Sequence, residues 1–178
     1  MTRLKTSSGI VLVYTGTGKG KTTAALGMAL RAVGQGQKAV MVQFMKRKGC
    51  AGEHKSAALL APNFKLHTFG RAEFVDLHKP SELDRQLARE ALEFAKSTLS
   101  RAPDILILDE INVAVSMGLV KLEEVLALVK SRPKDTSIIL TGRGAPKELL
   151  ALADIATEMR ELKHHYDKGF GAKLGIDY

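Results

Sequence analysis

Residues 14–23 have the sequence YTGTGKGKTT, and the segments on either side of this loop give it a recognisable context. An apolar, β-rich run at residues 9–13 precedes the loop, and an alanine-rich helical pattern follows it. In this order, glycines let backbone N–H groups turn toward an anion, and the N-terminus of the helix faces the same anion. The Lys21 side chain adds a mobile positive charge, and the Thr22 hydroxyl can bind Mg²⁺. The loop therefore predicts a triphosphate site.

The loop is one residue shorter than the phosphate-binding pattern G-x-x-x-x-G-K-[ST]. The first glycine of that pattern would fall at Thr15, and counting from Gly16 leaves one residue too few. Either Thr15 tolerates the turn, or the phosphates lie differently from those of an ordinary ATPase. A glycine-rich turn without a ligand is the alternative, and the strand-to-helix junction at residues 20–23 argues against it.

Length and composition favour a single globular unit. We expect residues 1–178 to form one α/β domain, with residues 1–8 as a flexible N-terminal segment. The chain is 45% hydrophobic and 26% charged, which favours a folded protein over disorder. It has one cysteine, and no run reaches the roughly 18 apolar residues that a membrane span requires. We therefore predict a cytoplasmic protein that makes no membrane contact.

The formal net charge of +8 raises the question of a nucleic-acid partner. The basic residues form no stripe interleaved with aromatic residues, and the chain has no tryptophan. A triphosphate ligand explains part of the positive charge more economically. We expect no nucleic-acid partner.

Apolar runs and helical patterns alternate along the rest of the chain. Runs at residues 39–44, 104–110 and 136–142 predict strands that are buried on both faces, and residues 64–69 alternate as a further strand. Residues 155–162 suit an edge strand, and helical patterns fill most segments between the strands. This order predicts a doubly wound, mostly parallel sheet with helices on both faces.

Two of the predicted helices have informative apolar patterns. The helix at residues 21–33 has apolar residues on almost every side, which predicts burial between the sheet and other helices. The helix that begins near residues 80–84 opens with a capping-box-like sequence. Its predicted buried stripe consists of Leu83, Leu87, Ala91, Phe94, Ala95 and Leu99.

Polar residues at the carboxyl ends of the predicted strands are candidates for the site. Asp109 and Glu110 end a buried strand, where Mg²⁺ on bound phosphates must be held directly or through water, as in a Walker B pattern. Asp109 could also cap the next helix. Arg143 suits a triphosphate contact or an ion pair with either carboxylate. Gln43 and Lys46 suit contacts with the nucleotide or a second substrate, or a solvated loop.

The C-terminal segment, residues 163–178, is too rich in glycine and apolar residues for a disordered tail. We expect it to fold back over the site. The adjacent residues His164 and His165 point to opposite faces of an extended segment, so they predict no shared metal ion.

Several of these segments together resemble one family, the P-loop type of ATP:cob(I)alamin (corrinoid) adenosyltransferase, over residues 9–178. The segments are TGTGKGKTTAA at 15–25, VQFMK at 42–46, LDE at 108–110, IILTGRGAP at 138–146, LAD at 152–154 and GIDY at 175–178. The resemblance implies a P-loop NTPase-like fold and transfer of the 5′-deoxyadenosyl group of ATP to the Co(I) centre of a reduced corrinoid, with release of triphosphate. It implies cleavage of the C5′–O bond, which fits the short loop and the lack of a residue placed to activate water.

The resemblance also implies roles for individual residues. Lys21 and Glu110 would be catalytic, and Thr22, Asp109 and Glu110 would bind Mg²⁺, for which Mn²⁺ could substitute. The corrinoid would lose its lower axial ligand in a partly aromatic pocket formed by the loop after the third strand, with Phe69 and Phe74 as candidates. The implied nucleotide-binding residues are Gly16, Thr17, Gly18, Lys19, Gly20, Lys21, Thr22, Thr23 and Arg143.

A reduced flavin or flavodoxin-like electron donor and a homodimer are further implications of the resemblance. Two other functions compete with it: a P-loop ATPase that hydrolyses ATP, and a nucleotide-binding regulatory module without turnover. The products distinguish them, because only adenosyl transfer releases triphosphate, and only in the presence of a Co(I) corrinoid.

Overall fold

Six parallel strands form one sheet with the order β3-β2-β4-β5-β1-β6. The strands are Val11–Thr15 (β1), Ala39–Phe44 (β2), Phe64–Phe69 (β3), Ile105–Asp109 (β4), Ser137–Thr141 (β5) and Ile155–Glu158 (β6). The helices are Lys21–Gly34 (α1), Gly52–Leu59 (α2), Glu82–Leu99 (α3), Ile111–Ser116 (α4), Leu122–Lys130 (α5) and Lys147–Leu152 (α6), followed by a 3₁₀ turn at His165–Lys168. This computed structural model describes residues 8–47, 49, 51–71, 75–76 and 79–177.

The doubly wound α/β architecture predicted from the sequence is confirmed. The predicted strands at residues 39–44 and 64–69 match β2 and β3 at both ends. The predicted edge strand at residues 155–162 is shorter, because β6 ends at Glu158 and the following backbone packs against the glycine loop. All described strands belong to one sheet, as one domain requires, and the single-domain assignment stays a prediction.

Alternating strand residues fill two separate cores, one on each face of the sheet. On one face, Val11, Val42 and Leu106 pack against α3, α4, α5 and α6. On the other face, Met41 and Ile107 pack against α1 and α2. The helices on both faces leave the carboxyl ends of the parallel strands at one open edge, where ligands bind in folds of this kind.

Helix α1 is buried on only one side, so the predicted burial on almost every side is wrong. Its buried apolar residues are alanines, Ala25, Ala29 and Ala32, whose small side chains let the helix lie close to the sheet. Leu30 is 59% exposed, because no second layer of helices among the described residues covers the outer face of α1. That face instead borders a large cavity.

The stripe predicted for α3 is also wrong at its first position. The helix begins after the cap Ser81, and Leu83 is 49% exposed. Asp84 takes the inward position. Its carboxylate accepts hydrogen bonds from the backbone N–H and the hydroxyl of Ser81, and its Oδ1 forms an ion pair with Arg71 Nε at 2.8 Å. Burial raises the pKa of Asp84, but these hydrogen bonds and the arginine charge outweigh burial and lower the pKa below its usual value. No helix in the described part of the chain is long and apolar enough to cross a bilayer.

Candidate nucleotide and metal site

The glycine loop turns sharply between β1 and α1. Gly16 and Gly20 have φ angles of 94° and 109°, in the left-handed region that residues with a Cβ rarely adopt. A Cβ on Gly16 would lie 2.4 Å from the carbonyl oxygen of Met159, and the Gly18 N–H donates to that oxygen at 2.6 Å. Thr15 is the last residue of β1, so the turn begins at Gly16 and the loop is one residue short.

The Lys21 ammonium group lies inside this loop. Its Nζ donates to the carbonyl oxygens of Gly16 at 2.8 Å and Gly18 at 2.7 Å. Burial lowers the pKa of Lys21, and the nearby Glu110 charge opposes that effect. The loop therefore holds a positive charge at its centre, where backbone N–H groups and the start of α1 also favour an anion.

Asp109 is the centre of a fully occupied hydrogen-bond network. It is 0% exposed. Its Oδ1 accepts from the hydroxyls of Thr22 at 2.9 Å and Thr141 at 2.6 Å, and its Oδ2 accepts from Gln43 at 3.2 Å and Lys46 at 2.8 Å. Four donors use the lone pairs that one carboxylate offers. Asp109 therefore orients the Thr22 hydroxyl, whose oxygen accepts a hydrogen bond from Lys46 Nζ at 3.3 Å and keeps a second lone pair for a cation.

Gln43 is fixed by residues outside the strand that carries it. Its Nε2 lies 3.3 Å from Glu53 Oε1, and its Oε1 lies 3.1 Å from His54 Nε2. Both partners lie on α2, and Gln43 itself is fully buried. Gln43 thus directs its amide nitrogen toward Asp109, and its contacts with α2 oppose a rotation that would exchange the amide nitrogen and oxygen.

Glu110 has an unusual backbone conformation for a residue other than glycine. Its φ angle is 64°, at the N-cap of α4. Such a conformation costs on the order of 1–3 kcal/mol, and residues that adopt it are concentrated at active and ligand-binding sites. Burial and then the neighbouring Asp109 charge raise the pKa of Glu110, against the opposing charges of Lys46, Lys21 and Arg143.

The donors of this cluster suit Mg²⁺. The Thr22 hydroxyl and the Glu110 carboxylate provide oxygen atoms, which hard divalent cations prefer. Asp109, the third predicted ligand, already accepts four hydrogen bonds from the protein, so it can bind the ion only if one of these partners leaves. Among the described residues, no group of three or more His, Cys, Asp and Glu side chains has an arrangement that holds a metal ion. Mg²⁺ fits this set better than a transition metal, because it usually takes one or two carboxylates and completes its shell with phosphate oxygens and water.

A cavity of about 1670 Å³ extends from the loop. Its polar part includes the loop residues from Thr17 to Thr23, together with Glu110 and Arg143. Its other end is apolar and is lined by Leu26, Leu30, Leu59, Leu60 and Phe64. Ligand pockets of about 300–1,000 Å³ hold drug-sized molecules, so this cavity has room for a nucleotide and a second, larger molecule.

The C-terminal segment covers part of the loop, as predicted. Asp177 Oδ1 lies 2.6 Å from Lys19 Nζ, and its Oδ2 accepts from the Lys173 backbone N–H at 2.7 Å. The hydrogen bond from Lys19, followed by that from the Lys173 backbone, lowers the pKa of Asp177. His164 and Tyr166 also line the cavity.

The structure brings most of the described site residues that were predicted together at the cavity, including Arg143, with Phe69 as an exception. Arg143 is exposed and, within the described residues, forms no ion pair with Asp109 or Glu110; its contact with triphosphate stays a prediction. The Phe69 ring does not line the cavity and packs against Phe94, with ring centroids 5.5 Å apart. Phe74 lies outside the described residues.

Sequence reasoning gave no role to Thr141 or Asp177. The only signal for Thr141 was a hydroxyl at the end of the strand that precedes Arg143. Asp177 lies 158 residues from Lys19, and no local pattern connects them. Gln43 and Lys46 were candidates, but for contacts with a ligand and not with Asp109.

Comparisons with known proteins agree on one family. A family model described as ATP:corrinoid adenosyltransferase BtuR/CobO/CobP matches residues 7–178. The chain is 40% identical to the corrinoid adenosyltransferase of Escherichia coli (strain K12) over 171 residues, which are 96% of this chain and 86% of that protein. It is 37% identical to the corrinoid adenosyltransferase CobA of Salmonella typhimurium (strain LT2), with the same coverage. It is 34% identical to the corrinoid adenosyltransferase of Pseudomonas aeruginosa, over 96% of this chain and 84% of that protein.

Proposed function

The chain belongs to the ATP:corrinoid adenosyltransferase family, and from this membership we propose how its residues transfer the adenosyl group of ATP to a corrinoid. The observation that carries the proposal is the continuity of the cavity, which is cationic at the loop and apolar at its far end. A nucleotide with its triphosphate in the loop directs its sugar carbon toward the apolar end. The C5′ atom is then accessible to a cobalt nucleophile.

The loop residues bind the triphosphate as the leaving group. When cobalt attacks C5′, the C5′–O bond breaks and its electron pair moves to the triphosphate. Lys21 and Lys19 lie where this charge accumulates, and the backbone N–H groups of the loop add preorganised donors. The protein aligns C5′ with the cobalt and needs no residue to activate water, because the reduced corrinoid is itself the nucleophile.

The Thr22 hydroxyl and the Glu110 carboxylate would hold Mg²⁺, while Asp109 orients Thr22 from behind. When bound, the ion neutralises part of the charge on the triphosphate, and Mn²⁺ can take the same place. The oxygen-rich donor set and the fixed Thr22 hydroxyl support this assignment. Arg143, which also lines the cavity, contributes a further positive charge to the triphosphate.

The corrinoid occupies the apolar end of the cavity, between α1 and α2. The exposed face of α1, with Leu26 and Leu30, supports this placement, because an apolar ring system would cover it. Phe69 and Phe74 remain the predicted contacts that help remove the lower axial ligand. Phe69 must turn away from Phe94 to serve in this way.

A reduced flavin or flavodoxin-like donor supplies the electrons that produce Co(I), and the net charge of +8 suits an acidic protein partner. The enzyme acts in the cytoplasm as a homodimer. Exposed apolar residues on the C-terminal segment, Phe170, Leu174 and Ile176, support self-association. Analytical ultracentrifugation of the full chain tests the dimer, which a monomeric sedimentation coefficient at micromolar concentration would contradict.

The product assay tests the function. The enzyme is incubated with ATP, Mg²⁺ and a corrinoid, with and without a reductant that generates Co(I), and phosphate, ADP and triphosphate are separated. We expect triphosphate and the adenosylated corrinoid only with the reductant. Lys21→Ala is expected to reduce the rate at least 100-fold, whereas Lys38→Ala, at the opposite end of the sheet, leaves it unchanged. Phosphate and ADP without a corrinoid would indicate an ATPase instead.

A further inference from the structure

The Lys46 ammonium group lies where a divalent cation would be expected to act. Its Nζ is 2.8 Å from Asp109 Oδ2 and 3.3 Å from Thr22 Oγ1. We propose that Lys46 is a displaceable counter-ion, which keeps the divalent cation out of the nucleotide-free site and gives way when nucleotide and metal arrive together. The proposal rests on the proposed metal site and adds a residue that controls when this site fills.

The charges of the cluster explain why a cation is needed before nucleotide binds. Asp109 and Glu110 are neighbouring carboxylates in a largely buried place, and like charges there repel each other strongly. Lys21 donates its hydrogen bonds to the loop carbonyls, and Arg143 is exposed. Among the described residues, Lys46 is therefore the cation in direct contact with Asp109.

The ammonium and a bound metal ion compete for the same oxygen. A Mg²⁺ ion on the Thr22 hydroxyl lies about 2.1 Å from its oxygen. Because the ammonium is 3.3 Å from the same oxygen, the two cations would be at most about 5.4 Å apart. A divalent and a monovalent cation at this distance in a water-poor site repel each other. The metal ion thus binds weakly while Lys46 keeps its observed position.

A nucleotide removes this conflict because it brings its own negative charge. Lys46 lines the same cavity as Lys21 and Thr22, and its side chain is 29% exposed. Its long stem allows the ammonium to swing from Asp109 toward an incoming triphosphate while the metal ion takes over the charge of the carboxylates. Nucleotide and metal should therefore bind with positive coupling, and part of this coupling depends on Lys46.

A purely structural ion pair would behave differently. In that case Lys46 and Asp109 would stay together in every state, and removing the lysine would lower stability without changing metal affinity. The affinity of the nucleotide-free protein for a metal ion separates the two roles.

Equilibrium dialysis of Mn²⁺ against the full chain provides this test. For the wild type we expect weak binding without nucleotide and at least tenfold tighter binding with ATP. Lys46→Met should bind Mn²⁺ without nucleotide at least tenfold more tightly than the wild type, and ATP should add less. Lys46→Arg, which keeps the charge, should resemble the wild type. Lys38→Met removes a distant positive charge and controls for the change in net charge.

Each outcome has a distinct meaning. Equal Mn²⁺ affinities for the wild type and Lys46→Met without nucleotide would overturn the counter-ion proposal and leave the metal site intact. Failure of both proteins to bind Mn²⁺ even with ATP would overturn the metal site, and the counter-ion proposal with it. Circular dichroism establishes that each variant is folded. Should Lys46→Met not fold, Lys46→Gln replaces it in the same comparison.

Discussion

The substitution Asp109→Asn removes one partner of a buried ion pair and leaves the other. Breaking such a pair typically costs 3–5 kcal/mol, because one charge remains buried without compensation. Lys46 is 29% exposed and can move into the cavity, so the lower end of this range applies. We expect a loss of about 3 kcal/mol in the free energy of unfolding. For a chain of this length, that loss corresponds to a decrease in Tm of about 6–12 °C.

The geometry also predicts how the new amide is oriented. Gln43 cannot turn its oxygen toward position 109, because His54 engages that oxygen. The hydroxyls of Thr22 and Thr141 can rotate, so the Asn amino group should face them. Thr22 would then accept a hydrogen bond instead of donating one, and its oxygen would offer less to a metal ion. Mn²⁺ binding in the presence of ATP should weaken along with stability.

Equilibrium urea unfolding at pH 7 measures the effect on stability, with the exposed Asp135→Asn as a matched control. Adding Lys46→Met to Asp109→Asn removes the uncompensated charge. The double variant should recover at least about 1.5 kcal/mol relative to Asp109→Asn alone. A change below about 0.5 kcal/mol in the single variant, or no recovery in the double variant, would refute the reasoning, since ordinary surface substitutions have effects of that size.

Three further predictions concern the loop, the pH dependence and the C-terminal segment. Gly16→Ala should destabilise the protein by at least about 2 kcal/mol in urea unfolding, because of its left-handed φ and the close backbone contact. Asp84 has a lowered pKa in the folded state, so its contribution is present above about pH 4 and is lost as the pH falls further. Asp84→Asn should therefore reduce the difference in stability between pH 6 and pH 3. Asp177→Asn removes the ion pair with Lys19 and should speed amide hydrogen exchange at residues 173–177 several-fold.

Controls are available for each of these predictions. Gly36 has a φ of 74° but open space around its Cβ position, so Gly36→Ala should be milder than Gly16→Ala. Equal costs at the two glycines would contradict the proposed contact with Met159. An unchanged pH dependence in Asp84→Asn would contradict the pKa argument. Unchanged exchange near Asp177 would mean that the Lys19 pair does not hold the segment.

The sequence predicts the order of strands and helices well, because periodic apolar patterns report burial locally. The strand at residues 64–69 has both ends correct for this reason. Leu83 is an error of the same method, because its apolar character suggested burial while the cap at Ser81 placed it in an exposed first turn. The spacing of apolar residues does not reveal at which residue a helix begins, or which side chains of its first turn face the solvent.

The part of the site that lies in one continuous segment can be predicted from the sequence. The part that consists of residues from several strands cannot, because it depends on the order of the strands in the sheet. The loop at residues 14–23 is recognisable from its glycines and from the strand and helix patterns directly before and after it. Asp109, in contrast, depends on Gln43 and Thr141, which come from the strands on either side of β4. Nothing in the local sequence specifies that β2 and β5 are the neighbours of β4. The sequence places Lys46 at the carboxyl end of β2 and so predicts a contact with the nucleotide, but only the folded sheet shows that its partner is Asp109.

The most direct test of the account uses ATP with ¹⁸O in the single oxygen that joins C5′ to the α-phosphorus. The enzyme is given this ATP, Mg²⁺ and a Co(I) corrinoid, and mass spectrometry locates the label in the products. The account predicts that all of the ¹⁸O leaves with the triphosphate, because the C5′–O bond breaks. Label retained in a product that contains adenosine would show attack at phosphorus and would contradict the proposed role of the loop.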